Sequence, residues 1–298
     1  MAFLSVNSTP PKLIRDLWDK PRLSTDPIGI FTCKEWEVVP YDSLSLVDWL
    51  HVVPKNSISE KSRPYYVVHK SYTSGDPTYE VTLRIQGFLK SSVLSPIGTW
   101  DGDPSNAHLA VQRIVLGGGE TDDAWISTLK QLNRVISVVT RKSGFNGSPH
   151  LLTESVGTVI PFQRRVFLKA ANAPPFSVQN IGDELLPYAA RLQDMSQQWV
   201  TDAPLLTGAL RTTGVRRCNH ALFRDGDFVD VLASFEIVCK KQVTRVYFAF
   251  DRIVQLAARD EGTGGTSVTP AFGAQDVLRA PADDIFVDTD DEDAGEED

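Results

Sequence analysis

The residues of this 298-residue chain best suited to engaging a ligand are its cations. Three doublets, Arg164-Arg165, Arg216-Arg217 and Lys240-Lys241, stand among Lys130, Arg134, Arg141, Lys142, Lys169, Arg211, Arg224 and Arg245. Gathered on one face, such side chains attract phosphate, whether of lipid headgroups or of nucleic acid, by about 1 kcal/mol per charge at an anionic surface. Scattered, they make only a solvated exterior of alternating sign. The candidate anion-binding set is Arg141, Lys142, Arg164, Arg165, Lys169, Arg211, Arg216, Arg217, Lys240, Lys241 and Arg245.

Other constellations are weaker. Gly117-Gly118-Gly119 before a helix has the backbone freedom of a phosphate loop, but no Lys-Ser/Thr pair follows and the glycine spacing of a dinucleotide fold is absent. Glu120, Asp122 and Asp123 put carboxylates where the phosphate would sit, so a strand-to-helix turn is the better reading. Cys218, His220 and Cys239 supply three zinc-ligand types without the paired C-x₂₋₄-C knuckle of a structural site. Five histidines, with no Gly-x-Ser-x-Gly elbow and no HExxH helix, give no support for catalysis. Asp101-Gly102-Asp103 and Asp225-Gly226-Asp227 read as turns, because the further ligands of a calcium loop do not follow. The chain is therefore expected to be a binding or structural protein with no metal or cofactor.

The net charge of −8 is unevenly placed. Residues Asp283 to Asp298 hold ten acidic side chains and no basic ones, so setting them aside leaves +2 for the remainder. An anionic partner is compatible with that balance. Three cysteines are too few for a disulfide framework and fit a reducing compartment. The start, MAFLSVNSTPPKL, lacks the basic lead and long apolar core of a secretory signal, and it lacks a glycine at position 2 for myristoylation. No uncharged apolar run approaches 18 residues, so any membrane contact is expected to be peripheral.

The elements that must position these residues are mostly strands. Tyr79, Val81, Leu83, Ile85, Gly87 and Leu89 alternate with polar neighbours, the period of a strand with one dry face. Tyr65–His69, Leu109–Leu116 and Gly157–Leu168 read as further strands, and Phe228–Cys239 with Val243–Leu256 as a hairpin joined near Lys240-Lys241. Gly75-Asp76-Pro77, Asp225-Gly226-Asp227 and Ser143–Pro149 are turn sequences. Thr121 can cap a helix whose apolar face is Trp125, Leu129, Leu132 and Ile136, and Val135–Thr140 then returns to β character. Asp183–Trp199 reads as a second helix. The expected fold is mainly β with a few short helices, as two β-sandwich-like domains in tandem. The expected segments are an N-terminal arm over 1–30, a β domain over 31–170, a linker over 171–178, a second β domain over 179–262 and a disordered acidic tail over 263–298.

The segment Ile114 to Asn180 resembles the N-terminal domain of pneumovirus and paramyxovirus matrix proteins. The matching order is Ile114-Val115-Leu116, Asp122 to Leu132, Val135 to Lys142, Gly147-Ser148-Pro149 and Val159 to Phe167. The resemblance implies two similar β-sandwich domains, self-assembly into a lattice beneath an envelope, and contacts to anionic lipid and to a nucleocapsid. It places the chain in a virion, on the inner face of the envelope, and in host cytoplasm and at the cell membrane. Tyr41-Asp42-Ser43-Leu44 matches a Y-x-x-L late-domain peptide, with Tyr41 and Leu44 as its anchors. A long acidic terminus departs from the basic character of those families. Two other classes use the same residues: a nucleic-acid-binding viral movement or coat protein on a jelly roll, and a cellular interaction module whose acidic tail binds basic partners.

Overall fold

Backbone pairing in the computed structural model sorts the described residues, 1–20, 29–54, 65–69, 79–119, 122–143, 149–169, 183–240 and 243–259, into strands and three α-helices. The N-terminal part holds β1 (Ala2–Val6), β2 (Lys12–Leu13), β3 (Val38–Val39), α1 (Ser43–Trp49), β4 (Leu50–Pro54) and β5 (Tyr65–His69). There follow β6 (Leu83–Val93), β7 (Val111–Gly117), α2 (Asp122–Lys142), β8 (Ile160–Arg165) and β9 (Phe167–Lys169). The rest comprises α3 (Ala189–Met195), β10 (Trp199–Thr201), β11 (Leu206–Arg211), β12 (Gly214–Arg217), β13 (Phe228–Lys240) and β14 (Val243–Ala257). The chain is mainly β, as its alternation predicts.

Five of these strands close on one another. β6 pairs antiparallel with β7, and β7 antiparallel with β8. β8 lies parallel to β14 at Phe162 and Phe248, β14 runs antiparallel along the length of β13, and β13 returns antiparallel to β6. The ring is a barrel in which the first strand pairs with the second and fourth and the third pairs in parallel with the fifth. Its interior is apolar because inward positions alternate with outward ones: Ile85, Leu89, Ile114, Leu116, Phe162, Phe235 and Phe248 are all buried. α2 contributes Trp125, Leu129, Leu132, Ile136 and Val139 to the same core, at the three- and four-residue spacing of one helix face.

Several expectations are corrected here. The helix does not give way to a strand at Val135, because Val135, Ile136, Val138 and Val139 continue the buried face begun by Trp125, and that burial outweighs the β preference of branched side chains. The helix expected over Asp183–Trp199 is a short 3-10 turn ending at Pro187 and Tyr188, followed by α3, since proline cannot donate within a helix. The strands do not divide into two tandem sandwiches. β6, β7 and β8 come from 31–170 and β13 and β14 from 179–262, yet all five share one ten-stranded sheet. The barrel order also differs from the jelly roll attached to the nucleic-acid alternative. Of the N-terminal arm, residues 1–20 are packed: β1 lies parallel to β3 and β6, with Leu4, Leu13, Ile14 and Trp18 buried. The turns at 75–77 and 144–148, the Thr121 cap, the 171–178 linker and the acidic tail lie outside the described residues.

The strand expected to have one dry face has two. Arg84 and Gln86, on the side of β6 away from the barrel core, are covered by the N-terminal arm. Arg84 reaches Asp230 of β13 through two donors, at 2.6 and 3.1 Å, and Gln86 donates to the same carboxylate at 3.0 Å. Phe3 sits between the guanidinium groups of Arg84 and Arg15, 5.0 and 4.8 Å from its centroid. Asp230 is fully buried. Asp230→Ala removes the carboxylate from a buried guanidinium and is expected to cost about 3–5 kcal/mol, read as a lower urea midpoint. Replacing both partners by apolar residues should recover most of that loss.

A second, smaller core lies beside the barrel. Ile97, Trp100, Ala107 and Ala110 from the β6–β7 connection pack with Val166, Phe167, Leu192 and Met195. β9 and β10 form a two-stranded ribbon over it. Arg164 marks the seam: its Nη2 donates to the Ala203 carbonyl at 2.6 Å and lies 3.3 Å from the Asp202 carboxylate.

Candidate functional site

The pleat of β7 and β8 sorts their side chains into two sets. Gln112, Ile114 and Leu116 of β7, with Ile160, Phe162 and Arg164 of β8, are buried. Arg113 and Val115, with Pro161, Gln163 and Arg165, point the other way. Arg113 stands directly across from Gln163, and Val111 across from Arg165, so the two guanidinium groups are diagonal neighbours with Cα atoms about 7–8 Å apart. Both arginines are exposed, and among the described residues neither has a carboxylate within ion-pair distance. β14 extends this face on the far side of β8. Phe248 faces in, so Tyr247 and Arg245 face out, half-buried and exposed respectively.

The ribbon follows directly in the chain. Only Val166 separates β8 from β9, so Lys169 follows Arg165 by four residues, at most about 13 Å of strand. Lys169 is paired across the ribbon with Trp199, its Nζ 5.7 Å from the indole centroid. His108, from the β6–β7 connection, stacks on the same indole with centroids 6.5 Å apart and planes at 25°. The exposed or half-buried cations and rings of this region are thus Arg245 and Tyr247 on β14, Arg113 and Arg165 on β7 and β8, and Lys169, Trp199 and His108 at the ribbon. The chemistry open to such a surface is attraction of phosphates by the cations and contact of flat rings with the aromatics.

The other residues singled out from the sequence are placed elsewhere. Arg164 is buried at 4% exposure and bound to the 202–203 backbone and carboxylate, so it leaves the candidate set; alternation along β8 sends it inward as surely as it sends Arg165 outward. Arg211, Arg216 and Arg217 lie on β11 and β12, at the end of the sheet order remote from β7, with Arg216 Nε donating to Thr213 Oγ1 at 3.2 Å. Arg141 and Lys142 close the last turn of α2. Lys240 ends β13, and Lys241 lies outside the described residues. Tyr41 and Leu44 do not form an extended peptide. Asp42 caps α1, its carboxylate accepting from Ser45 N–H at 2.8 Å and held below the usual aspartate range by that bond, while Tyr41 is clamped by Arg134.

The remaining constellations resolve as packing. A Cβ on Gly118 would lie 2.5 Å from Trp125, and Gly119 has φ +63 against Phe88, so these glycines let α2 approach the barrel. Among the described residues no group of three or more His, Cys, Asp or Glu side chains gathers as a metal site. The Cys239 side chain is not described. Burial pushes the Cys218 thiol up to about 11, only partly offset by Arg211. The folded-state value lies above that of a free thiol, so the associated stability is intact below pH 9 and declines as pH rises toward 11. At pH 8 iodoacetamide is expected to modify Cys218 on the order of 100-fold more slowly than a free thiol, a rate measured by mass spectrometry.

Sequence reasoning missed Arg113, Gln163, Tyr247, Trp199 and His108. The period-two pattern at 111–116 was a signal for Arg113, which alternates with Gln112 and Ile114. The meeting of His108, Lys169 and Trp199 across ninety positions left no local trace.

The barrel's strand order is that of the OB-fold class, whose second and third strands and adjoining loops form the usual ligand face. No family model matches the chain, and no curated protein matches it. Among solved structures it is similar to the single-stranded DNA-binding protein from bacteriophage Enc34, with 10% identity and a TM-score of 0.32 over 73% of this chain and 97% of that one. The same phage protein in complex with ssDNA shows 12% identity and a TM-score of 0.32 over 72% and 98% of the two chains.

Proposed function

We propose that this chain binds single-stranded nucleic acid across the outer face of β7 and β8, and that binding, without chemistry on the ligand, is its activity. The observation that carries the reading is the pairing of unneutralised Arg113 and Arg165 on that face with Trp199, Lys169 and His108 at its margin. Phosphates are drawn to the arginines, and unstacked bases have flat faces to lay against rings, a contact of about 1–3 kcal/mol per base. A single strand suits the surface better than a duplex, because the rings at its margin can stack only on bases that are not already stacked in a helix. Four cations, Arg113, Arg165, Lys169 and Arg245, predict a log–log salt slope of about −2.8 for a single strand.

The test is a fluorescence-anisotropy titration with oligo(dT) and oligo(rU) over a range of salt. Arg113→Glu with Arg165→Glu is expected to weaken binding by at least about tenfold and to bring the slope to about −1.4. Trp199→Ala should weaken binding with little change of slope, since it removes stacking and no charge. Arg211→Glu with Arg216→Glu should leave binding unchanged. A parallel arm uses phosphatidylserine vesicles, the surface expected for a membrane-bound matrix protein. Vesicle binding without oligonucleotide binding would overturn the proposal in favour of that role.

A further inference from the structure

The outward side of α2 carries a second concentration of positive charge that the nucleic-acid reading does not use. Lys130, Arg134, Ser137 and Arg141 fall on one helical stripe, spanning about 16 Å between the first and last. The stripe forms one wall of an open groove of about 450 Å³ whose other wall includes Tyr41 and Glu154. Arg134 lies over the Tyr41 ring, 3.8 Å from its centroid, and donates to the Tyr41 carbonyl. Arg141 Nε donates to the Ser137 carbonyl at 3.3 Å. Glu154 is turned to the Asn133 amide, from which it accepts at 3.1 Å. Among the described residues no carboxylate stands within ion-pair distance of Lys130, Arg134 or Arg141. Among the described residues the groove thus sets three cations against one carboxylate, Glu154, and none of its lining residues belongs to the β7–β8 face.

We infer that this groove is the docking site for the chain's own acidic terminus, residues 283–298. That segment carries ten carboxylates and no base, which complements the stripe in charge. The 24 residue steps from Arg259 to Asp283 reach at most about 80 Å, so the tether does not restrict access. Covalent attachment holds the segment at an effective concentration near the millimolar range, which favours it over an untethered polyanion of equal charge. Nucleic acid fits the groove less well. It has one aromatic lining residue, Tyr41, whereas Tyr247, Trp199 and His108 border the β7–β8 face, so it offers bases fewer rings. Carboxylates need only the charge and the N–H donors of the stripe. The inference does not depend on the proposed function.

The test is zero-length carbodiimide crosslinking of the full chain, which joins a lysine amine to a carboxylate in direct contact, followed by peptide mass spectrometry. At low salt, amide links from Lys130 to residues 283–298 are expected to dominate the links made by that segment, and high salt should abolish them. Arg141→Glu is expected to lower their yield about fivefold. In an equal mixture of ¹⁴N and ¹⁵N protein the links should join peptides of the same isotope; mixed-isotope links would assign the segment to a second copy and overturn the intramolecular assignment. Links made chiefly to Lys90 or Lys169, or spread evenly over the lysines, would overturn it as well. With saturating oligo(dT), the Lys130 links should persist. Their loss would mean that the stripe takes nucleic acid, whereas failure of oligo(dT) to bind at all would count against the proposed function alone.

Discussion

The long strand β14 has two edges to satisfy, and the architecture follows from how it does so. A buried backbone cannot leave its N–H and C=O groups without partners. One edge of β14 is taken by β13 along its whole length. The other is shared, first by β8 at Phe248 and then by β11 from Arg252 to Gln255. Because β13 also pairs with β6, the first arrangement closes a barrel, while the second carries the sheet outward to β12. The outer face of β7 and β8 and the arginines of β11 and β12 are separated by this division of one strand between two neighbours.

Closure creates a packing demand that α2 meets. The helix can sit against the barrel because Gly87, Gly118 and Gly119 offer no side chain where Trp125 and Phe88 must lie. Trp125 then donates its indole N–H to the Thr158 carbonyl at 2.8 Å, which fixes the entry into β8. Asn133, on the same helix, holds the approach to that strand through the backbone and side chain of Leu152 and Glu154. The orientation of Arg113 and Arg165 thus depends on apolar contacts made on the reverse side of their own strands.

Much of this was legible in the sequence. The alternation of Leu83 to Leu89 and the hairpin of Phe228 to Leu256 announced strands where strands occur, and the spacing of Trp125, Leu129 and Leu132 announced the helix. What could not be read was pairing between distant strands. Parallel contact of β8 with β14 links residues more than eighty apart and leaves no periodicity in either. A run of Val and Ile after Leu132 is equally good strand or buried helix until the partner surface is known, and the barrel interior decides it. The same holds for the basic residues. Composition showed that cations exist; only the pleat shows that Arg165 faces out and Arg164 does not.

The two apolar clusters remain distinct, the larger within the barrel and the smaller under the ribbon, with Arg164 and Asp202 at their junction. Segments with separate cores open as separate cooperative units. Arg113 and Arg165 belong to the first unit, and Lys169, Trp199 and His108 to the second. On the proposed reading, local melting of the ribbon would withdraw Trp199 and His108 as a group while Arg113 and Arg165 stayed in place, so a bound strand could change footprint without leaving.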